Sequence, residues 1–160
     1  MQKFNHATLT ALFLLILAYA GQPMAADTAP TPIEDVKVDE YAKGRKALDT
    51  KNWVLAVASF KKVVADNPKN ADAHNLLGYS YRAMGKFDES FAAYDNALAI
   101  DPKHKGALEY SGMGYLKTNQ KAKAEAQLRR LTAICAGCPE TTSLAKAVAD
   151  YKPGAVISTY

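Results

Sequence analysis

Residues that carry chemistry are scarce in this chain. Its 160 residues include two cysteines, three histidines and one tryptophan. No glycine-rich stretch of the kind that cradles phosphates occurs, and no serine, histidine and acid can be drawn together as a nucleophilic set. His74 and His104 have no cysteine, aspartate or glutamate nearby at ligand spacing. Two cysteines lack the partner thiols of a structural zinc site, and Pro139 follows Cys138 where haem attachment needs a histidine. The expectation is a chain with no enzymatic activity, no cofactor and no metal. Long apolar runs are also missing: the longest, Leu9 to Ala20, has twelve residues, short of the about 20 that a membrane helix needs. Neither sign of charge dominates, with a formal net charge of +4.

What the chain has in quantity is self-similarity. Gly44, Gly78 and Gly112 stand 34 residues apart, and their surroundings repeat with them. Counting units from Lys37, Ala71 and Lys105, the glycine is always eighth. Ala47, Tyr81 and Tyr115 fall at position 11, and Ala56, Ser90 and Ala124 at position 20. Phe60, Tyr94 and Leu128 fall at position 24, Val63, Ala97 and Leu131 at 27, and Pro68 and Pro102 at 32. A period of this length is the mark of stacked helix–turn–helix units, each burying its apolar face on the next. Small residues at positions 8 and 20 let two antiparallel helices approach, with larger side chains filling the space beside them.

Turn chemistry sets the boundaries. Asp66-Asn67-Pro68-Lys69-Asn70 and Asp101-Pro102-Lys103-His104 each close one helix and open another, because proline lacks the amide hydrogen of a continuing helix and Asn70 is a ready N-cap. Further breaks fall near Thr50–Asn52, Gly85–Lys86 and Asn119–Gln120. The expected helices are 38–49, 53–66, 71–84, 87–100, 105–118 and 121–134. A seventh over 140–151 carries Leu144, Ala147, Val148 and Tyr151 on one apolar stripe and is expected to cover the last unit.

These phased positions resemble the tetratricopeptide repeat, over Lys37 to about Ile134. The resemblance implies an all-α fold: a right-handed α-solenoid of three helix–turn–helix repeats (37–70, 71–104 and 105–138), plus a C-terminal capping helix. It also implies that the first helix of each pair lines a concave groove, with repeat positions 2, 5, 9 and 12 facing it. Those are Val38, Tyr41, Arg45 and Leu48, then Asp72, Asn75, Tyr79 and Arg82, then Gly106, Glu109, Met113 and Leu116. The lysine and asparagine with which some family members clamp a terminal carboxylate are replaced here by Tyr41 and Arg45.

Outside the repeats, Lys3 and His6 precede the apolar run, and Ala18-Tyr19-Ala20 or Met24-Ala25-Ala26 offers a small-x-small cleavage site. Residues 1–26 are therefore expected to be a secretory signal peptide, leaving no integral membrane span after its removal. Residues 27–36, rich in proline and threonine, form a linker, 37–151 the repeat domain and 152–160 a tail. Signal type and family resemblance together imply export to a bacterial periplasm. In an oxidising compartment Cys135 and Cys138 are expected to pair as a structural disulfide. Cys135 falls at the C-terminal end of a helix, where the dipole disfavours a thiolate, and this argues against redox chemistry.

The expected function is capture of a peptide or protein segment, with Tyr41, Arg45, Asn75, Tyr79, Arg82, Glu109 and Met113 as contacts, since tyrosine and arginine dominate binding hot spots. Export argues against a nucleic-acid partner despite the lysines and arginines gathered between Lys103 and Arg130. Two alternatives stand beside this: a self-assembling homo-oligomeric scaffold, and thiol–disulfide activity at Cys135 and Cys138.

Overall fold

The computed structural model describes residues 39–154; the expected signal peptide, the linker and the end of the tail lie outside these described residues. Seven helices follow one another: α1 (Glu40–Asp49), α2 (Trp53–Asp66), α3 (Ala71–Ala83), α4 (Phe87–Ile100), α5 (Lys105–Lys117), α6 (Lys121–Ile134) and α7 (Pro139–Asp150). No strand occurs among the described residues. Each helix packs on its neighbour in sequence, and α7 packs on both α5 and α6. The chain is an all-α solenoid of helix pairs with a capping helix.

The starts of α1, α2, α3 and α5 are written in the sequence as capping side chains. Asp39 accepts from the Tyr41 and Ala42 amides, which places the first residue of α1 at Glu40 rather than 38. Asn52 accepts from Leu55 N–H at 3.1 Å, and Asn70 from Ala73 N–H at 2.9 Å. His104 does the same with its Nδ1, 3.1 Å from Ala107 N–H. The turns inside the pairs share one device. Lys51, Gly85 and Asn119, all at position 15 of the period, adopt positive φ of 55°, 74° and 58°. The residue after each then bonds back to the helix it leaves: Asn52 N–H to Ala47 O, Lys86 N–H to Tyr81 O and Gln120 N–H to Tyr115 O. These are Schellman closures, which ordinarily favour glycine at the left-handed residue.

The core lies along the seams between helices. A Cβ on Gly44 would come within 2.8 Å of the Phe60 ring, and one on Gly78 within 2.7 Å of the Tyr94 ring. Both rings are fully buried. Ser90 Oγ donates to Gly78 O at 2.8 Å, so the small residue at position 20 also ties the two helices by a hydrogen bond. The third repeat departs from this pattern. The expected partner of Gly112 is Leu128 at position 24, but Leu128 is only half-buried. Leu144 of α7 occupies the space instead, wholly buried, because a leucine at 128 lacks the reach of the rings at 60 and 94.

Cys135 and Cys138 are both free thiols here. The turn is closed without a covalent bond: Cys138 Sγ donates to Cys135 O at 3.0 Å, and Thr141 Oγ1 donates to the same carbonyl at 2.6 Å.

Candidate partner-binding groove

A pocket of about 230 Å³ opens across the first helices of the three pairs, lined by Arg45, Leu48 and Asp49 from α1, Leu76 and Tyr79 from α3, and Tyr110 from α5. Its aromatic wall is continuous. Trp53 meets Tyr79 edge-on with ring centroids 6.1 Å apart, and Tyr79 meets Tyr110 at 5.2 Å. The Arg82 guanidinium lies 5.2 Å from the Tyr79 ring centroid and 5.8 Å from that of Tyr110. Each ring face attracts the cation through its quadrupole, and burial strengthens the attraction.

The candidate residues divide on this geometry. Arg45 and Tyr79 stand together in the pocket, Arg45 exposed and Tyr79 half-buried. Arg82 is only 4% exposed. Beyond the two rings, it packs beside Gly114 and close to the buried Tyr94 hydroxyl, so it is the floor of the groove and not a free hand. Asn75 is 6% exposed, its Nδ2 under Gly106 at the start of α5. Its Oδ1 finds no hydrogen-bond partner among the described residues. Glu109 is half-buried; burial pushes its carboxyl above the ordinary range, with Ser143 and Arg82 opposing that rise and Glu140 adding to it. Met113 packs against the apolar cluster of the second and third pairs. Tyr41 stands apart: its ring lies edge-on to Phe60 at 5.8 Å and lines a separate recess with Val63, Asp66 and Asn67.

Three contributors escaped sequence reasoning. Tyr110 sits at position 6 of its repeat, one residue from a position assigned to the groove. Trp53 opens α2 and reaches the groove from a second helix of a pair. Lys117 follows Leu116 at position 13, and burial, with the positive charge of Arg82 adding to it, lowers its pKa. The lone tryptophan was the available signal, since one large ring at a helix start is unusual on a solvated face. His104 also has an acidic neighbour that spacing did not show: its Nε2 lies 3.0 Å from Asp72 Oδ1, across 32 residues. Because Nδ1 accepts from Ala107, Nε2 carries the proton and donates to the aspartate.

Comparison with known proteins agrees with this architecture. The tetratricopeptide repeat family model matches residues 41–105, the first two repeats. Superkiller protein 3 of Schizosaccharomyces pombe is 32% identical over 92 residues, which are 58% of this chain and 6% of that protein. The chain thus spans a small fraction of that relative's length. Among solved structures, the Arabidopsis OM64 TPR domain superposes with a TM-score of 0.66 at 18% identity, over 71% of this chain and 93% of that one. The first TPR of Spaghetti (RPAP3), bound to an HSP90 peptide, gives 0.64 at 16% identity, over 69% and 87%. The Yersinia enterocolitica secretion chaperone SycD, in complex with a peptide of the translocator YopD, gives 0.62 at 20% identity, over 69% and 84%. The fold is that of the tetratricopeptide repeat.

Proposed function

We propose that this protein is a non-catalytic binding module that captures an extended or helical segment of another protein in the groove across α1, α3 and α5. The observation that carries the reading is the aromatic wall of Trp53, Tyr79 and Tyr110 beside the exposed guanidinium of Arg45. Tyrosine and tryptophan supply contact area at little entropic cost, and arginine can pair bidentately with a carboxylate. Chains of similar fold from RPAP3 and SycD have been solved with bound peptides, which supports peptide binding as a use of this fold. The expected export signal would place this activity outside the cytoplasm.

The experiment is a peptide-display selection against the full chain after removal of residues 1–26, with selected sequences synthesised and titrated by calorimetry. Binders that lose affinity with Tyr79→Ala or Arg45→Ala support the groove. Binders indifferent to both changes, or no enrichment at all, would overturn it.

A further inference from the structure

The junction between α6 and α7 is the third copy of a junction that the period builds twice before. Positions 31 and 34 are Asn67 and Asn70 after α2, Asp101 and His104 after α4, and Cys135 and Cys138 after α6. At the first two, the residue at position 34 caps the following helix through a side-chain acceptor, Asn70 Oδ1 to Ala73 N–H and His104 Nδ1 to Ala107 N–H. Cys138 occupies the same N-cap place on α7, and its side chain makes no such bond to the helix backbone. A neutral thiol is a weak acceptor; a thiolate is a strong one, favoured by the amides and dipole of a helix start.

The partner is already in place. Cys138 Sγ reaches back over the turn to Cys135 O at 3.0 Å, and it lies 3.4 Å from Thr141 Oγ1. Interaction with Cys135 holds the Cys138 thiol below the ordinary thiol range, and interaction with Cys138 pushes the Cys135 thiol up. Cys138 is 7% exposed. Cys135 is half-exposed, and the linking Ala136 and Gly137 are open to solvent, with nothing within 4 Å of a Cβ placed on Gly137. The sequence argument against redox chemistry weighed Cys135 at the end of α6; the structure has Cys138 at the start of α7.

We propose that Cys135 and Cys138 are a reversible thiol–disulfide exchange site, with Cys138 the attacking sulphur, Cys135 the resolving one and a low-molecular-weight disulfide as the oxidant. The Cys138 thiolate attacks one sulphur of the small disulfide, forming a mixed disulfide and expelling one small thiolate. Cys135 then loses its proton and attacks Cys138 Sγ, forming the internal bond and expelling the second. Two electrons pass from the protein pair to the oxidant, which leaves as two reduced thiols. Reduction by the small thiol runs the same steps backward. Oxidation replaces the hydrogen bond from Cys138 Sγ to Cys135 O at the corner from which α7 extends.

The test equilibrates the folded full chain in glutathione buffers of varied oxidised-to-reduced ratio. Samples are acid-quenched, alkylated and weighed intact. The expected result is a monomer that converts fully between dithiol and disulfide as the ratio changes. Cys135→Ser should accumulate a glutathione adduct mapped to Cys138. Cys138→Ser keeps a hydroxyl able to cap α7, so it should stay folded while its remaining thiol reacts about tenfold more slowly at neutral pH. A pair that stays reduced in excess oxidised glutathione would overturn the proposal. So would a disulfide that resists excess reduced glutathione in the folded protein, or an adduct that forms as fast on Cys135 of Cys138→Ser.

Discussion

Gly112 of α5 is closed over by Leu144 of α7: a Cβ on the glycine would lie 2.6 Å from Leu144 Cδ2, and the leucine is wholly buried. The capping helix therefore supplies the side chain that the third repeat cannot supply itself. Leu144→Ala should leave a cavity under α5 and cost about 2–5 kcal/mol. Thermal melting checks this, and a variant melting like the parent would show that α7 is an appendage rather than a cap.

That relationship also shows what the sequence could and could not disclose. Gly44, Gly78 and Gly112 at one phase specified paired helices, and Asn70, Gly85 and Asn119 marked breaks where they occur, because caps and left-handed turns are local chemistry. Leu144 closing on Gly112 and Tyr110 reaching Tyr79 are contacts between units. The period assigns a residue to a helix face but not the length of side chain needed to bridge to the next helix. Arg82 illustrates the same limit: its position faces the groove, yet three aromatic neighbours and Gly114 enclose it.

Gly78→Leu should be among the most damaging single changes. A Cβ alone would meet Tyr94 Cδ1 at 2.7 Å and Ser90 O at 3.1 Å, and the backbone oxygen cannot swing aside. The cost should be about 3 kcal/mol or more, at or beyond the upper end for overpacking. Gly78→Ala should already lower the melting temperature measurably.

Position 15 offers a stabilising change. Lys51 holds φ at 55° with no role for its side chain to justify the strain, so Lys51→Gly should gain about 1 kcal/mol in denaturant unfolding. Asn119 has the same backbone but accepts from Tyr151 Oη at 3.0 Å, tying the end of α7 to the turn. Asn119→Gly should gain less or lose stability. Equal gains at both sites would refute the role given to Tyr151.

Glu109 gives a pH signature. Its raised carboxyl pKa means the fold prefers the protonated form. The group's contribution is therefore fully present below the ordinary carboxylate value and lost as pH rises through the raised one. Glu109→Gln should accordingly be more stable than the parent at neutral pH, with the difference vanishing in acid. A difference that grows on acidification would show that the carboxylate is held by a favourable partner instead.

The groove residues separate by what they hold up. Arg82→Ala removes a buried side chain from between Tyr79, Tyr110 and Tyr94, so it should cost about 2–4 kcal/mol of stability and cannot report on binding cleanly. Arg45 is exposed in the pocket, and Tyr79 is half-buried at the centre of the aromatic wall. Truncating either to alanine should weaken a groove ligand by at least about 2 kcal/mol, more than tenfold in affinity. The controls belong on the second helices. Lys62 pairs with Glu40 at 2.8 Å and Arg130 donates to Pro102 O at 3.1 Å, which leaves Lys61 and Arg129 as exposed cations suited to the comparison. Calorimetric titration of a selected peptide against Arg45→Ala, Tyr79→Ala, Lys61→Ala and Arg129→Ala should lose affinity in the first two only. Loss confined to Lys61→Ala and Arg129→Ala would move the binding surface to the second helices, away from the aromatic wall.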